Sequence, residues 1–383
     1  TLTYPDPQGM FDPANPAGVA SAVRSDQIMT VWIGVSDGQH KPVYAKVGTY
    51  YCPKATSKGG TGELHAVDIL GKLQDAAKPN ARSLDHLHNQ SLADFVLGLG
   101  ASPWIPATDF TGSAPTAFDK GTNRLECLRY VSQYLHKLLY VDADGNARLT
   151  AMSRTPVAVI PLDQSYEHPS IEAREELGGI DYTWHRYEDT GEEILAATAA
   201  IQTAKGVPVT YTAITEEPVA YTRCEVEHPY ASDFVVTLVS ATSYAIRITV
   251  RTDAVFTDPD EYNVTVRLYG KQIEDQTGSG TSEKDSVVNK EQNRMSVDNP
   301  IPVGILDRLT WGMYLRRTYG KADITCNWRG DASLQVGDPV TVEGKYGPLN
   351  GVIIKQEIDY DGALTMRTTV RQPDWMINLG GEG

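Results

Sequence analysis

Three groupings in this 383-residue chain bring together side chains able to do chemistry. The first is Asp85-His86-Leu87-His88, in which Asp85, His86 and His88 could ligate one metal ion if both imidazoles shared a face. Residues two apart share a face on a strand and not on a helix. Leu84, Leu87, Leu92, Phe95, Val96 and Leu99 predict one or two short helices over 83–98, so the sequence favours a solvated turn over a metal site. The second grouping, Asp142, Asp144 and Asn146, matches the opening of a calcium loop. Ala147 stands where that loop requires Gly and Ser153 where it requires a bidentate Glu, so a hairpin turn is expected instead. The third is a set of carboxylate pairs: Glu175-Glu176, Glu192-Glu193, Glu216-Glu217, and Glu225 with Glu227 on one strand face. Glycoside hydrolysis needs two carboxyls about 5 to 9 Å apart, which sequence does not fix, and acidic surface is the plainer meaning.

Cys52, Cys127, Cys224 and Cys326 are scattered, with no CxxC pair and no His at zinc-finger spacing. No GxSxG, HExxH, Walker or GxGxxG pattern occurs. The expectation is therefore a non-enzyme with no catalytic, metal or cofactor-binding residues and no cofactor. Folding in a reducing compartment is expected.

Lys and Arg number 34 against 49 Asp and Glu, a formal charge of −15, which disfavours a surface that must neutralise phosphates. An acidic wall still suits a channel that DNA slides through without sticking. No stretch reaches the roughly 20 apolar residues of a membrane span, and the start lacks signal-peptide character. Tyr is abundant, at 20 against 6 Phe, which suits interfaces or sugar contact as well as buried strands.

The elements that must position these residues are mostly strands, giving an α+β, mostly β chain. Residues 1–82 read as a first β domain: Gln27 to His40 enters a turn at Asp37-Gly38, Val43 to Tyr51 returns, and Gly62 to Ile69 follows before Asp68 opens a helical turn. Residues 83–154 read as a small helical domain with a hairpin. Ser91 is placed to cap a helix there and Gly98 to stop it, and Asn123 to Leu139 has the clearest helical spacing in the chain. Ala158 to Leu162 and Gly178 to Tyr187 are candidate strands.

Residues 191–290 read as a β insertion domain with strands at Phe234 to Leu238, Tyr244 to Thr252 and Tyr262 to Tyr269. A possible helix lies at Glu192 to Thr203 and a flexible connection at Asp275 to Ser282. Residues 291–383 hold a helix at Pro302 to Tyr319, then strands at Ala322 to Trp328, Pro339 to Glu343, Leu349 to Asp359 and Ala363 to Arg371.

Two stretches resemble a known family. One is the helix ending in Tyr134-Leu135-His136-Lys137-Leu138-Leu139 and the hairpin with Tyr140, Asp142, Gly145 and Leu149. The other is Leu334-Gln335-Val336-Gly337-Asp338-Pro339-Val340-Thr341-Val342, then Gly351-Val352-Ile353-Ile354 and Gly362 to Val370. Their order is similar to that in baseplate or tail-tip hub proteins of tailed phages, including the front part of siphophage tail-associated proteins. The block from about Ala196 to Lys290 carries no such likeness.

The resemblance implies a homotrimer whose two β-barrel-like or sandwich domains mimic tail-tube subunits in a pseudo-sixfold ring. The first would be 1–82 completed by about 155–190, the second in 291–383. It also implies a virion tail-tip location, with the tail tube, the distal tail protein ring, the tape measure protein and a fibre or spike protein as partners, DNA passing only in transit, and a role in host attachment and genome ejection. Two other readings stand beside it: a receptor- or carbohydrate-binding tip protein, which a glycan array separates, and a tail-associated peptidoglycan hydrolase, which zymography separates.

Overall fold

The computed structural model describes residues 2–10, 12, 14–18, 27–35, 43–58, 60–74, 85–99, 107–118, 121–151, 153, 155–175, 177–189, 191–283, 293–302, 320–360 and 364–373. Strands β1 (Leu2–Pro5), β2 (Gln27–Val35), β3 (Val43–Lys58) and β4 (Thr61–Val67) form an antiparallel sheet in the order β1-β4-β3-β2. Asp68 then opens α1 (Ile69–Gln74) as expected, its Oδ1 accepting the Gly71 N–H at 2.8 Å. The expected turn at Asp37-Gly38 lies outside the described residues.

Next come β5 (Asp85–Ser91), α2 (Leu92–Gly98), β6 (Ser113–Thr116), α3 (Arg124–Tyr134) and the hairpin of β7 (Leu138–Val141) and β8 (Ala147–Thr150). Ser91 caps α2 by accepting the Asp94 N–H at 3.3 Å, and Asn123 caps α3 by accepting the Glu126 N–H at 2.8 Å. Two expectations are corrected. Residues 85–91 form a strand rather than a helix, because Asp85, Gln90 and Ser91 pair with Thr116, Ala114 and Ser113 of β6, while the Asp85 carboxylate accepts the Leu87 and His88 N–H groups in the irregular stretch between. The helix predicted to Leu139 ends at Tyr134: His136 takes a left-handed φ of 54°, and Leu138 and Leu139 enter the hairpin. Phe95 and Val96 of α2, Leu125 and Leu128 of α3, Leu149 of β8 and Tyr51 of β3 share one buried cluster, which ties these pieces to the first sheet.

The chain continues through β9 (Ala158–Ile160), β10 (Ser170–Ala173), β11 (Gly179–Glu188), β12 (Glu193–Gln202), β13 (Val209–Ile214), β14 (Val219–Glu227), β15 (Phe234–Thr242), β16 (Ala245–Thr252), β17 (Asn263–Gln272), β18 (Glu274–Glu283) and β19 (Arg294–Asp298). It closes with β20 (Ala322–Trp328), β21 (Pro339–Gly344), β22 (Gly347–Tyr360) and β23 (Leu364–Gln372), which match the four expected strands closely. The helix expected at Pro302 to Tyr319 falls almost wholly outside the described residues.

Sheets β12-β17-β14 and β13-β16-β15 pack face to face. Ile246, Ile248 and Val250 of β16 alternate into the same core as Val264, Val266 and Leu268 of β17, the period-2 burial of a sandwich. The helix expected at Glu192 to Thr203 is instead β12. Ala199 and Ile201 point into that core, and the segment pairs along β17 with Ile201 opposite Val264, so tertiary pairing overrides the helical preference of its alanines.

The connection expected to be flexible at Asp275 to Ser282 is β18, paired with β11 from Gly179↔Glu283 to Glu188↔Glu274. Its glycines have a packing reason. A Cβ on Gly278 would lie 2.1 Å from the Trp184 ring, and one on Gly280 would lie 2.3 Å from the Tyr182 ring. Both aromatics are the direct cross-strand partners of those glycines.

The six-stranded sheet runs β10-β20-β23-β22-β21-β9. Residues 155–190 therefore do not complete the first sheet as expected. Val159 pairs in parallel with Thr341, and Ile171 pairs with Ile324, while β11 lies between β18 and β19. The reason is burial: Ile160 turns into one core with Ile324, Trp328, Val340, Met366 and Val370.

Candidate functional site

The first two groupings that sequence singled out sit where elements join. Asp85 and His86 are buried while His88 points outward, and Asp85 Oδ1 is approached by Ser243 Oγ at 3.4 Å and His88 Nδ1 at 3.4 Å. His86 meets the Tyr187 ring edge-on at 4.6 Å and donates its backbone N–H to Ser243 at 2.7 Å. Asp85 and His86 thus join β5 to the sandwich.

Asp142 accepts the Asn146 N–H at 2.9 Å across a turn in which Gly145 has φ 86°. Asp144 pairs with Lys46 at 2.6 Å, docking the hairpin on β3. Among the described residues no three His, Cys, Asp or Glu side chains gather as metal ligands.

The carboxylates of the sandwich's outer face are engaged by neighbours. Glu193 accepts from Thr222 and Arg223, Glu225 from Arg223 and Tyr269, and Glu227 pairs with Arg267. Glu225 and Glu227 do share the exposed face of β14. The hydrogen bonds from Thr222 and Arg223 hold Glu193 below its ordinary pKa, and Arg223 with Tyr269 does the same to Glu225. A glycosidase acid needs a raised pKa, so these groups are set the wrong way for that role. Burial pushes the Cys127 and Cys326 thiols up to about 12, the state of packing residues rather than nucleophiles.

One constellation escaped the sequence. Where β11, β18 and β19 meet β5 and α3, a cleft of about 230 Å³ is lined by His86, Tyr130, His185, Tyr187, Asp275 and Asp298 among others. His185 Nδ1 lies 2.7 Å from Asp275 of β18, and its Nε2 lies 2.6 Å from Asp298 of β19. Burial opposes charge on this ring, yet the two carboxylates outweigh it and its pKa lies above the ordinary 6.5. The ring stacks on Tyr187 at 6.0 Å, and the Tyr187 hydroxyl donates to the Pro300 carbonyl at 3.1 Å. Such an arrangement can hold a proton and tie three strands together. The partners stand 90 and 113 positions from His185, so no local pattern could have announced them.

The other notable surfaces are sheet edges. Strand β2 ends the first sheet and exposes Ile28 and Trp32, the latter 56% exposed, beside Val43 at 76% and Tyr44 on β3. In the six-stranded sheet, edge strand β9 exposes Val159 next to Val157, and edge strand β10 exposes Ile171.

No family model and no curated protein matches the chain. Among solved structures, it is similar to the tail protein from Neisseria meningitidis MC58, with 11% identity and TM-score 0.47 over 91% of this chain and 88% of that one. It is also similar to the 43 kDa tail protein of prophage MuSo2 from Shewanella oneidensis, with 10% identity and TM-score 0.47 over 92% and 90%. A third similarity is to a chain in the virion of a native gene transfer agent particle, with 10% identity and TM-score 0.41 over 91% and 64%. The solved structures that this mostly β chain is similar to are thus phage tail and virion proteins.

Proposed function

We propose that this chain is a structural subunit of a phage-type tail, a hub that closes the tail tube as a homotrimer at the tail tip. In this reading it joins the tube and distal tail ring above to a fibre or spike below, and lets the tape measure protein and DNA pass on opening. The observation that carries it is the pair of apolar sheet edges. Among the described residues, edge strand β2 exposes Ile28 and Trp32, and edge strand β9 exposes Val159 with Val157 just before it, apolar surface that a neighbouring subunit can cover. Such edges are completed by strands or faces of neighbouring subunits, and closed rings satisfy them all at once. The order of the hub-like sequence stretches supports the same reading. Tail protein is also the name borne by the Neisseria and Shewanella structures.

The test is assembly. Multi-angle light scattering of the chain with its neighbouring tail proteins is expected to give three copies per complex, in a ring visible by electron microscopy. A chain that stays monomeric with every tail component present sinks the proposal.

A further inference from the structure

We propose that His185 is a protonation-dependent clasp, which fastens the chain crossing at 298–301 onto the junction when its ring carries both protons and half releases it when one proton leaves. The inference does not depend on the tail reading. It starts from donor counting. Ionised carboxylates only accept, and a neutral imidazole offers one N–H, so bonds from both ring nitrogens to Asp275 and Asp298 need the imidazolium. Loss of one proton leaves one of those contacts without a hydrogen.

The crossing itself is riveted residue by residue. After Asp298, Asn299 donates through Nδ2 to the Tyr130 carbonyl at 3.0 Å and accepts the Ile301 N–H at 3.0 Å. Pro300 accepts from Tyr187, and Ile301 is buried in the cluster that holds α2 and α3. His185 is the titratable rivet in this row. Asp298 is largely solvent-facing, so water replaces the contact once the proton is gone.

Asp275 from β18, Asp298 from β19 and Tyr187 from its own strand contact the ring, and the other titratable groups lining the cleft are His86 from β5 and Tyr130 from α3. Burial, then the Glu126 carboxylate, holds the Tyr130 hydroxyl above its ordinary pKa, so it stays neutral while His185 titrates. The sign follows from the raised histidine: its contribution is whole below about pH 6.5 and is lost as pH rises through the folded value.

The experiment uses the full chain. Imidazole NMR, with His86 and His185 assigned separately, is expected to give His185 a midpoint above 6.5 with both nitrogens protonated below it. Hydrogen exchange of the 298–301 segment, corrected for the intrinsic pH effect, is expected to quicken roughly three- to tenfold between about pH 6 and about pH 9. In Asp298→Asn the midpoint falls and most of that quickening disappears. A His185 midpoint at or below 6.5, or exchange indifferent to pH, overturns the clasp. Both can be read on the unaltered chain should Asp298→Asn fail to fold.

Discussion

Gly278 and Gly280 leave room that the rings of Trp184 and Tyr182 occupy. Gly278→Val must push the indole off its strand, and overpacking of this kind costs about 1–3 kcal/mol. Ser279→Val, on the exposed position between them, is expected to stay within about 0.5 kcal/mol of the parent. Denaturant midpoints of the two variants check this, and equal losses would refute the ring-over-glycine account. The same glycines read in sequence as a flexible connection, because composition records that they lack side chains and not what fills the space. His185 was illegible for a related reason: its chemistry arises from two aspartates on strands far along the chain.

At the scale of elements, α3 shows what spacing can and cannot convey. Its start was legible from Asn123 and the recurring leucines, but its end was not, since a left-handed His136 gives no compositional sign. Asn123→Ala removes a 2.8 Å cap and is expected to lower stability by about 1 kcal/mol. Leu128→Ala hollows the cluster shared with β3 and is expected to lower it by about 2–5 kcal/mol. Thermal unfolding of both variants tests the order, and a cap variant as damaging as the cavity would contradict it. The strands β20 to β23 were legible nearly to the residue because Gly-Asp and Asp-Gly turns punctuate alternating runs. Strand β12 was not, because alanine favours helix locally and only β17 decides otherwise.

At the scale of the whole molecule, the mostly β character was readable, but the partner of 155–190 was not. Pairing of β9 with the distant β21 depends on which core has a vacancy for Ile160, and pairing of β10 on which edge β20 leaves open, properties of the folded sheet alone. If the apolar edges mediate assembly, Trp32→Lys together with Val159→Lys is expected to reduce self-association by light scattering while leaving the melting temperature of the isolated chain nearly unchanged. Exposed positions tolerate such changes within about 0.5 kcal/mol. A variant that associates as before would rule those edges out as the contact.

The six-stranded sheet takes its two outer strands from residues 158–173 and its four inner ones from residues 322–372. During synthesis the outer strands therefore leave the ribosome long before anything exists for them to lie against, and the long-range closure makes this step slow. A truncated product lacking β23 has no central strand on which β20 and β22 can meet. Such a product would lose β10, β20 and the β9-β21-β22 strands as one sheet, so the whole six-stranded layer is decided by the last strand to emerge.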